Sequence, residues 1–202
     1  SDAADIDAFL AEAWNLDATK TVKEALVEKV AVIGENLNIR RFEKVEAANG
    51  CVVSYLHGGG RIGVIVEADT DVVNDAVKEA MTNVAMQVAA LNPKYVATAD
   101  VSEEYKAHEK EIIAAQIAQD PKMAGKPEKV LAGIIEGRVS KTLQEMCLVD
   151  QLYILDQGMK VSQYLKNNNT VVTSMVRYAV GEGIEKREEN FAEEVAKQMA
   201  AK

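Results

Sequence analysis

Val73, Val77, Ala80, Met81, Val84, Val88 and Leu91 fall on one stripe at helical spacing, and Asn92-Pro93 stops the pattern. This predicts the main helix of the chain, packed on a sheet. Just upstream, Cys51 to Leu56 and Ile62 to Ala68 are rich in β-branched residues and flank the glycines at 58 to 60, which predicts a hairpin of two strands. Earlier still, Asp17 to Val30 reads as a capped helix with Val22, Leu26, Val27 and Val30 on one face, and 39 to 46 turns extended. Downstream, Ser102 to Gln119 predicts a helix and Pro121 to Lys126 a turn. Pro127 suits the first position of another helix, striped by Leu131, Ile134, Ile135, Val139, Thr142, Leu143 and Met146. Two such helices with a short linker form an antiparallel hairpin, which either packs on its own domain or projects as an interaction arm. Cys147 to Leu155 and Val171 to Val180 read as strands around a short helix at 160 to 167, and a final amphipathic helix falls at 188 to 200.

A weak internal repeat runs through these elements. Leu16, Asp17, Val22 and Leu26 correspond to Leu155, Asp156, Val161 and Leu165 at a constant offset of 139 residues, and Arg41-Phe42 to Arg177-Tyr178 at 136. The expected architecture is therefore α+β: two related subdomains with small antiparallel sheets packed against helices, plus a protruding antiparallel helical hairpin. Residues 1–50 would form the first subdomain, which looks truncated, and 51–100 with 147–186 the second. The hairpin is then 101–146 and the C-terminal helix 187–202.

Composition narrows the function. The 202 residues are 48% hydrophobic and 27% charged, ordinary for a globular protein, and disorder is not expected. A formal charge of -9 opposes binding to nucleic acid, whose affinity comes largely from neutralising phosphates, so a protein partner is the better expectation. Cys51 and Cys147, the only cysteines, each lie in an apolar run and read as reduced core thiols of a cytoplasmic protein. No apolar run reaches the roughly 18 residues that span a bilayer, and the first ten residues lack a signal-type pattern, so a soluble chain is expected.

Gly58-Gly59-Gly60-Arg61-Ile62-Gly63 satisfies the dinucleotide pattern G-x-G-x-x-G, but a strand comes after it where that chemistry needs a helix N-terminus at the pyrophosphate. His57 with the three glycines also resembles an esterase oxyanion loop, yet no G-x-S-x-G elbow exists to supply a nucleophile. Two readings of the loop stay open: glycines that satisfy positive φ in a hairpin turn, or a stretch with little side-chain bulk that a partner approaches closely. Ile33-Gly34-Glu35-Asn36 likewise reads as a helix C-terminus ended by a left-handed glycine, or as an exposed isoleucine placed to enter a partner's groove. His108 reads as a surface position, and the roles of Arg40 and Arg41 stay open. The carboxylates from Glu182 to Glu194 are dispersed on a lysine-containing segment, and no zinc or serine-histidine-acid constellation is apparent, so neither a metal, another cofactor nor an enzyme is expected.

Residues 33–42 (Ile-Gly-Glu-Asn-Leu-Asn-Ile-Arg-Arg-Phe), residues 55–66 (Tyr-Leu-His-Gly-Gly-Gly-Arg-Ile-Gly-Val-Ile-Val) and Gly-Glu-Gly-Ile-Glu-Lys at 181–186 occur in the order of one family. From about residue 4 to the end, the chain resembles bacterial elongation factor Ts, the guanine nucleotide exchange factor for elongation factor Tu. The resemblance implies that His57 contacts elongation factor Tu and that Ile33 meets its GTP-binding domain. Gly34, Glu35, Asn36, Gly58, Gly59, Gly60 and Arg61 are the associated partner-binding candidates. It also implies a possible homodimer through the 101–146 hairpin, as in some members. The family's N-terminal ubiquitin-associated-like domain and Thr-Asp-Phe-Val motif are not found; Thr70-Asp71-Val72 echoes the motif without the phenylalanine. Binding with reduced exchange is the expectation, with strand 39–46 pairing either with the second sheet or with another copy. The alternative from another class is a self-associating structural domain that uses the hairpin and binds no G protein.

Overall fold

The computed structural model describes residues 1–184; the C-terminal helix expected at 188–200 lies outside them. The architecture is α+β. A three-stranded antiparallel sheet of β3 (Cys51–His57), β4 (Ile62–Asp69) and β7 (Val171–Ala179) has β4 at its centre. Helix α3 (Asp75–Leu91) covers one face, because its stripe of Val77, Met81, Val84, Ala85 and Val88 is buried against Val64, Val66 and Ala68. Burying such apolar surface stabilises by about 25 cal/mol per Å². Asn74 caps the helix by accepting from the Val77 N–H, and Asn92, at φ +48°, ends it, so the predicted stripe frays only at exposed Val73 and Leu91.

Two small hairpins carry the internal repeat, and their agreement goes beyond the sequence offset. In the first, β1 (Ala13–Trp14) pairs with β2 (Asp17–Thr21) and runs into α2 (Val22–Ile33). In the second, β5 (Leu152–Tyr153) pairs with β6 (Asp156–Lys160) and runs into α6 (Val161–Asn167). Every register pair recurs at the same displacement: Ala13↔Thr21 with Leu152↔Lys160, and Trp14↔Asp17 with Tyr153↔Asp156. The bonds that close each unit recur too, Val22 N–H to Glu12 C=O and Val161 N–H to Gln151 C=O. Burial differs. Tyr153, Val161 and Leu165 are buried in the main core beside α3, whereas Trp14, Val22 and Leu26 are half-buried.

The hairpins correct two expectations. Asp17–Thr21 is a strand, and the helix starts at Val22 because Thr21 and Glu24 form a reciprocal capping box; Asp17 instead accepts from the N–H of Thr19 in the turn. Cys147 to Leu155 is not a continuous strand but a single 3₁₀ turn at Leu148–Asp150 followed by the two residues of β5. A third correction concerns 39–46, which enters no ladder among the described residues and runs as irregular backbone held by side chains.

Helices α4 (Glu103–Gln119) and α5 (Glu128–Met146) form the expected antiparallel hairpin, with Ser102 capping α4 and Pro127 just before α5. Ile113, Ile117, Val139 and Leu143 bury a core of their own, continued by Val101 and Cys147 at its base. Tyr105 at the start of α4 meets Met146 at the end of α5, which fixes the antiparallel sense. The loop before α4 is tied to the α5 end through Lys94 and Tyr95, whose N–H groups donate to the Met146 carbonyl. Among the described residues no helix is long and apolar enough to cross a membrane.

Candidate functional site

Strands β3 and β4 pair from Cys51↔Ala68 to His57↔Ile62, leaving Gly58, Gly59, Gly60 and Arg61 as the connection. The three glycines have φ of +61°, +68° and +89°, a region costing an L-residue about 1–2 kcal/mol each, so the turn itself requires them. The loop leads into strand β4 rather than a helix, and it therefore offers no helix N-terminus to a pyrophosphate. Around Gly59 and Gly60 no atom lies within 4 Å of where a Cβ would stand. The loop is thus open to close approach while its base is fixed, because the Val180 N–H donates to the Arg61 carbonyl at 2.9 Å. His57 and Arg61 are exposed at this tip, and the Tyr55 hydroxyl sits 3.0 Å from His57 Nδ1.

The second block sits at the end of α2. Gly34, at φ +78°, is the left-handed residue that ends the helix, its N–H donating to the Val30 carbonyl. Ile33 is 55% exposed and Val32 83%, so the helix presents apolar side chains to solvent beside Glu35 and Asn36, which are also exposed. Beyond them the chain turns toward the sheet. Arg40 donates to the Glu182 carbonyl at 2.7 Å, and Arg41 pairs with the Glu182 carboxylate at 3.2 Å while its guanidinium lies 4.3 Å over the Tyr178 ring. Tyr178 in turn donates to Glu43 at 2.9 Å. Burial, reinforced by the Glu43 carboxylate, pushes the Tyr178 phenol above its ordinary pKa. Arg177 and the Ala179 N–H complete the set around Glu182.

Residue by residue, the sequence candidates form two exposed groups, Ile33 to Asn36 and His57 to Arg61, with no hydrogen bond or ion pair between them among the described residues. The segment just after the first group does reach the second. A cavity of 390 Å³ is lined by Asn38, Arg40, Arg41, Gly60, Arg61 and Tyr178 with their neighbours. Arg40 and Arg41, whose role the sequence left open, are the clasp between segment 38–43 and the end of β7. Sequence reasoning missed Tyr55 and Glu182 as supporting residues. Glu182 was signalled only by its place in the Gly-Glu-Gly run, and Tyr55 by standing two residues before His57 on a strand. His108 is exposed on α4, as expected.

The fold and site define an α+β protein with a duplicated hairpin–helix unit that displays a glycine-rich hairpin tip and an isoleucine-bearing helix end. Residues 1–182 match the family described as elongation factor TS. The elongation factor Ts of Halothermothrix orenii is 41% identical over 202 residues, covering all of this chain and 66% of that protein. That of Clostridium novyi is 43% identical, covering all of this chain and 67% of the relative, and that of Clostridioides difficile is 45% identical over 185 residues, covering 89% and 59%. The chain belongs to the elongation factor Ts family, and it spans 59–67% of the length of these relatives.

Proposed function

We propose that this chain binds elongation factor Tu and promotes release of its GDP during translation elongation, as a nucleotide exchange factor in the cytoplasm rather than an enzyme of bond chemistry. The observation that supports it most is the family match over residues 1–182 together with the exposure of both of its candidate contact blocks. An exchange factor works by binding the nucleotide-free G protein better than the GDP form, and its effect is limited by that difference. In this reading Ile33 is the apolar group that enters a groove of the GTP-binding domain, with Gly34, Glu35 and Asn36 holding the helix end against the partner. His57 and Arg61 supply the polar contacts, and Gly58, Gly59 and Gly60 let the partner's backbone come close. The clasp of Arg40, Arg41 and Glu182 keeps the backbone after Ile33 in register with the hairpin tip.

Exchange by these 202 residues is expected to be weaker than binding alone would suggest, because no Thr-Asp-Phe-Val sequence is present to disturb the Mg²⁺ and phosphate sites. The experiment is release of fluorescent GDP from elongation factor Tu as the chain is titrated under excess unlabelled GDP at fixed Mg²⁺. A modest acceleration is expected. The His57→Ala variant is expected to bind elongation factor Tu about tenfold more weakly, the loss of roughly one charge-free hydrogen bond left unpaired in a desolvated interface. Equal affinity of the variant and the unmodified chain in calorimetric titration removes His57 from the contact.

Self-association through residues 101–146 is supported less well. Ile112 and Val130 are the only large apolar side chains on α4 and α5 that are exposed among the described residues, and they form little of an interface.

A further inference from the structure

We propose that Tyr55 is a positioning residue for His57, holding the imidazole so that its Nε2–H is offered to an acceptor oxygen on the partner. The inference rests on the reading that His57 meets elongation factor Tu, and it adds the chemistry of the group that His57 meets.

Side chains two apart on a strand share a face, so Tyr55 and His57 stand side by side on β3. The Tyr55 ring packs against the main core as a partly buried residue, whereas His57 is exposed at the strand end. The anchored ring therefore holds the free one. Its hydroxyl lies 3.0 Å from Nδ1, and the ring centroids are 6.0 Å apart with the planes inclined by 40°. A phenol is a good donor and a weak acceptor because its oxygen lone pair is delocalised into the ring, while the unprotonated nitrogen of neutral imidazole is a good acceptor. The favoured arrangement is O–H donating to Nδ1. That places the ring proton on Nε2, at the far edge of the imidazole, which makes no hydrogen bond among the described residues.

An outward N–H selects its counterpart. It fits a backbone carbonyl or a carboxylate and rejects another donor, such as a lysine ammonium or a backbone N–H, which would leave two donors facing each other. The neighbouring loop suits a carbonyl best, because the open space around Gly59 and Gly60 admits a partner's main chain. Fixing the ring before binding also reduces the rotamer freedom lost on association.

The test combines a measurement on the free chain with a double-mutant cycle. Long-range proton–nitrogen spectra of the intact chain are expected to show His57 protonated at Nε2 and unprotonated at Nδ1. A proton on Nδ1 overturns the proposal. Tyr55→Phe keeps the core-packing ring and removes only the hydroxyl, so thermal unfolding should be unchanged while affinity for elongation factor Tu falls about fivefold, the size of one lost hydrogen bond. In the His57→Ala background the same change should have no effect. An equal loss in both backgrounds would mean that Tyr55 acts by itself, and no loss with His57 intact would mean that positioning is unimportant; either result overturns the proposal. If His57→Ala alone leaves affinity unchanged, the contact reading fails with it, an outcome separated from the others by the single variant.

Discussion

Replacing Gly50 with alanine is expected to destabilise the chain by about 3 kcal/mol or more, lowering its melting temperature by about 6–12 °C for a protein of this size. Gly50 has φ +103°, outside the regions open to L-residues, and a Cβ there would stand 2.1 Å from the Ala68 carbonyl oxygen and 2.9 Å from the Thr70 nitrogen. Both obstacles are backbone. They belong to the end of β4 and the residue after it, and Ala68 pairs with Cys51 on one side and Val172 on the other, so neither can yield without opening the ladder. Relief through the side chain is impossible for the same reason. Gly59→Ala is the control: its φ of +68° is also unfavourable, but nothing lies within 4 Å, and the cost should stay near 1 kcal/mol. Thermal unfolding of the two variants decides the matter, and a Gly50→Ala melting point within about 2 °C of the parent would show that this corner can rearrange.

Gln87→Leu should cost about 2–4 kcal/mol although it puts a more hydrophobic residue of similar size into the core. Gln87 is fully buried on α3, and its amide is the fastening between that helix and the second hairpin. The nitrogen donates to the Gln151 side-chain oxygen at 3.1 Å and to the Leu152 carbonyl at 3.0 Å, while the oxygen accepts from the Ile154 N–H at 2.8 Å. Gln151 then donates to the Glu145 carbonyl at 2.7 Å, which extends the network to the last turn of α5. Leucine keeps roughly the volume and abandons three hydrogen-bond partners, the buried Gln151 side chain and the part-buried backbone groups of Leu152 and Ile154. Urea unfolding measures the total, and amide exchange at Ile154 should accelerate selectively. A loss below about 1 kcal/mol, with Ile154 still protected, would mean that water replaces the amide.

Some of this was legible in the chain and some was not, and the division tracks how local each determinant is. The β3–β4 hairpin declared itself because β-branched residues flank glycines whose positive φ the turn needs. Helix α3 did so because seven apolar positions from Val73 to Leu91 share one face. The start of α2 was misplaced because two cap signals stand four residues apart; Asp17 is the more familiar, but the box of Thr21 and Glu24 is the one that satisfies N–H groups from both ends. Strand pairing at 39–46 could not be read locally, since an extended segment becomes a strand only where an edge accepts it, and here arginine and glutamate side chains secure it instead. The candidate contact residues were visible as motifs. Their supports were not, because Glu182 and Tyr178 stand some 140 residues away in sequence from the arginine pair they hold.

The duplicated unit also divides the chain by rigidity. A hairpin leading into a helix occurs twice with one register, but Val161 and Leu165 are buried in the main core while Val22 and Leu26 retain contact with water. A shared strand register then rests on unequal burial, so the first copy should open at a lower free energy than the second, and its amides should exchange faster. Ile33 is carried by the looser copy and His57 by the sheet that α3 backs. A partner gripping both would meet one compliant contact and one stiff one, and binding would tighten the first far more than the second.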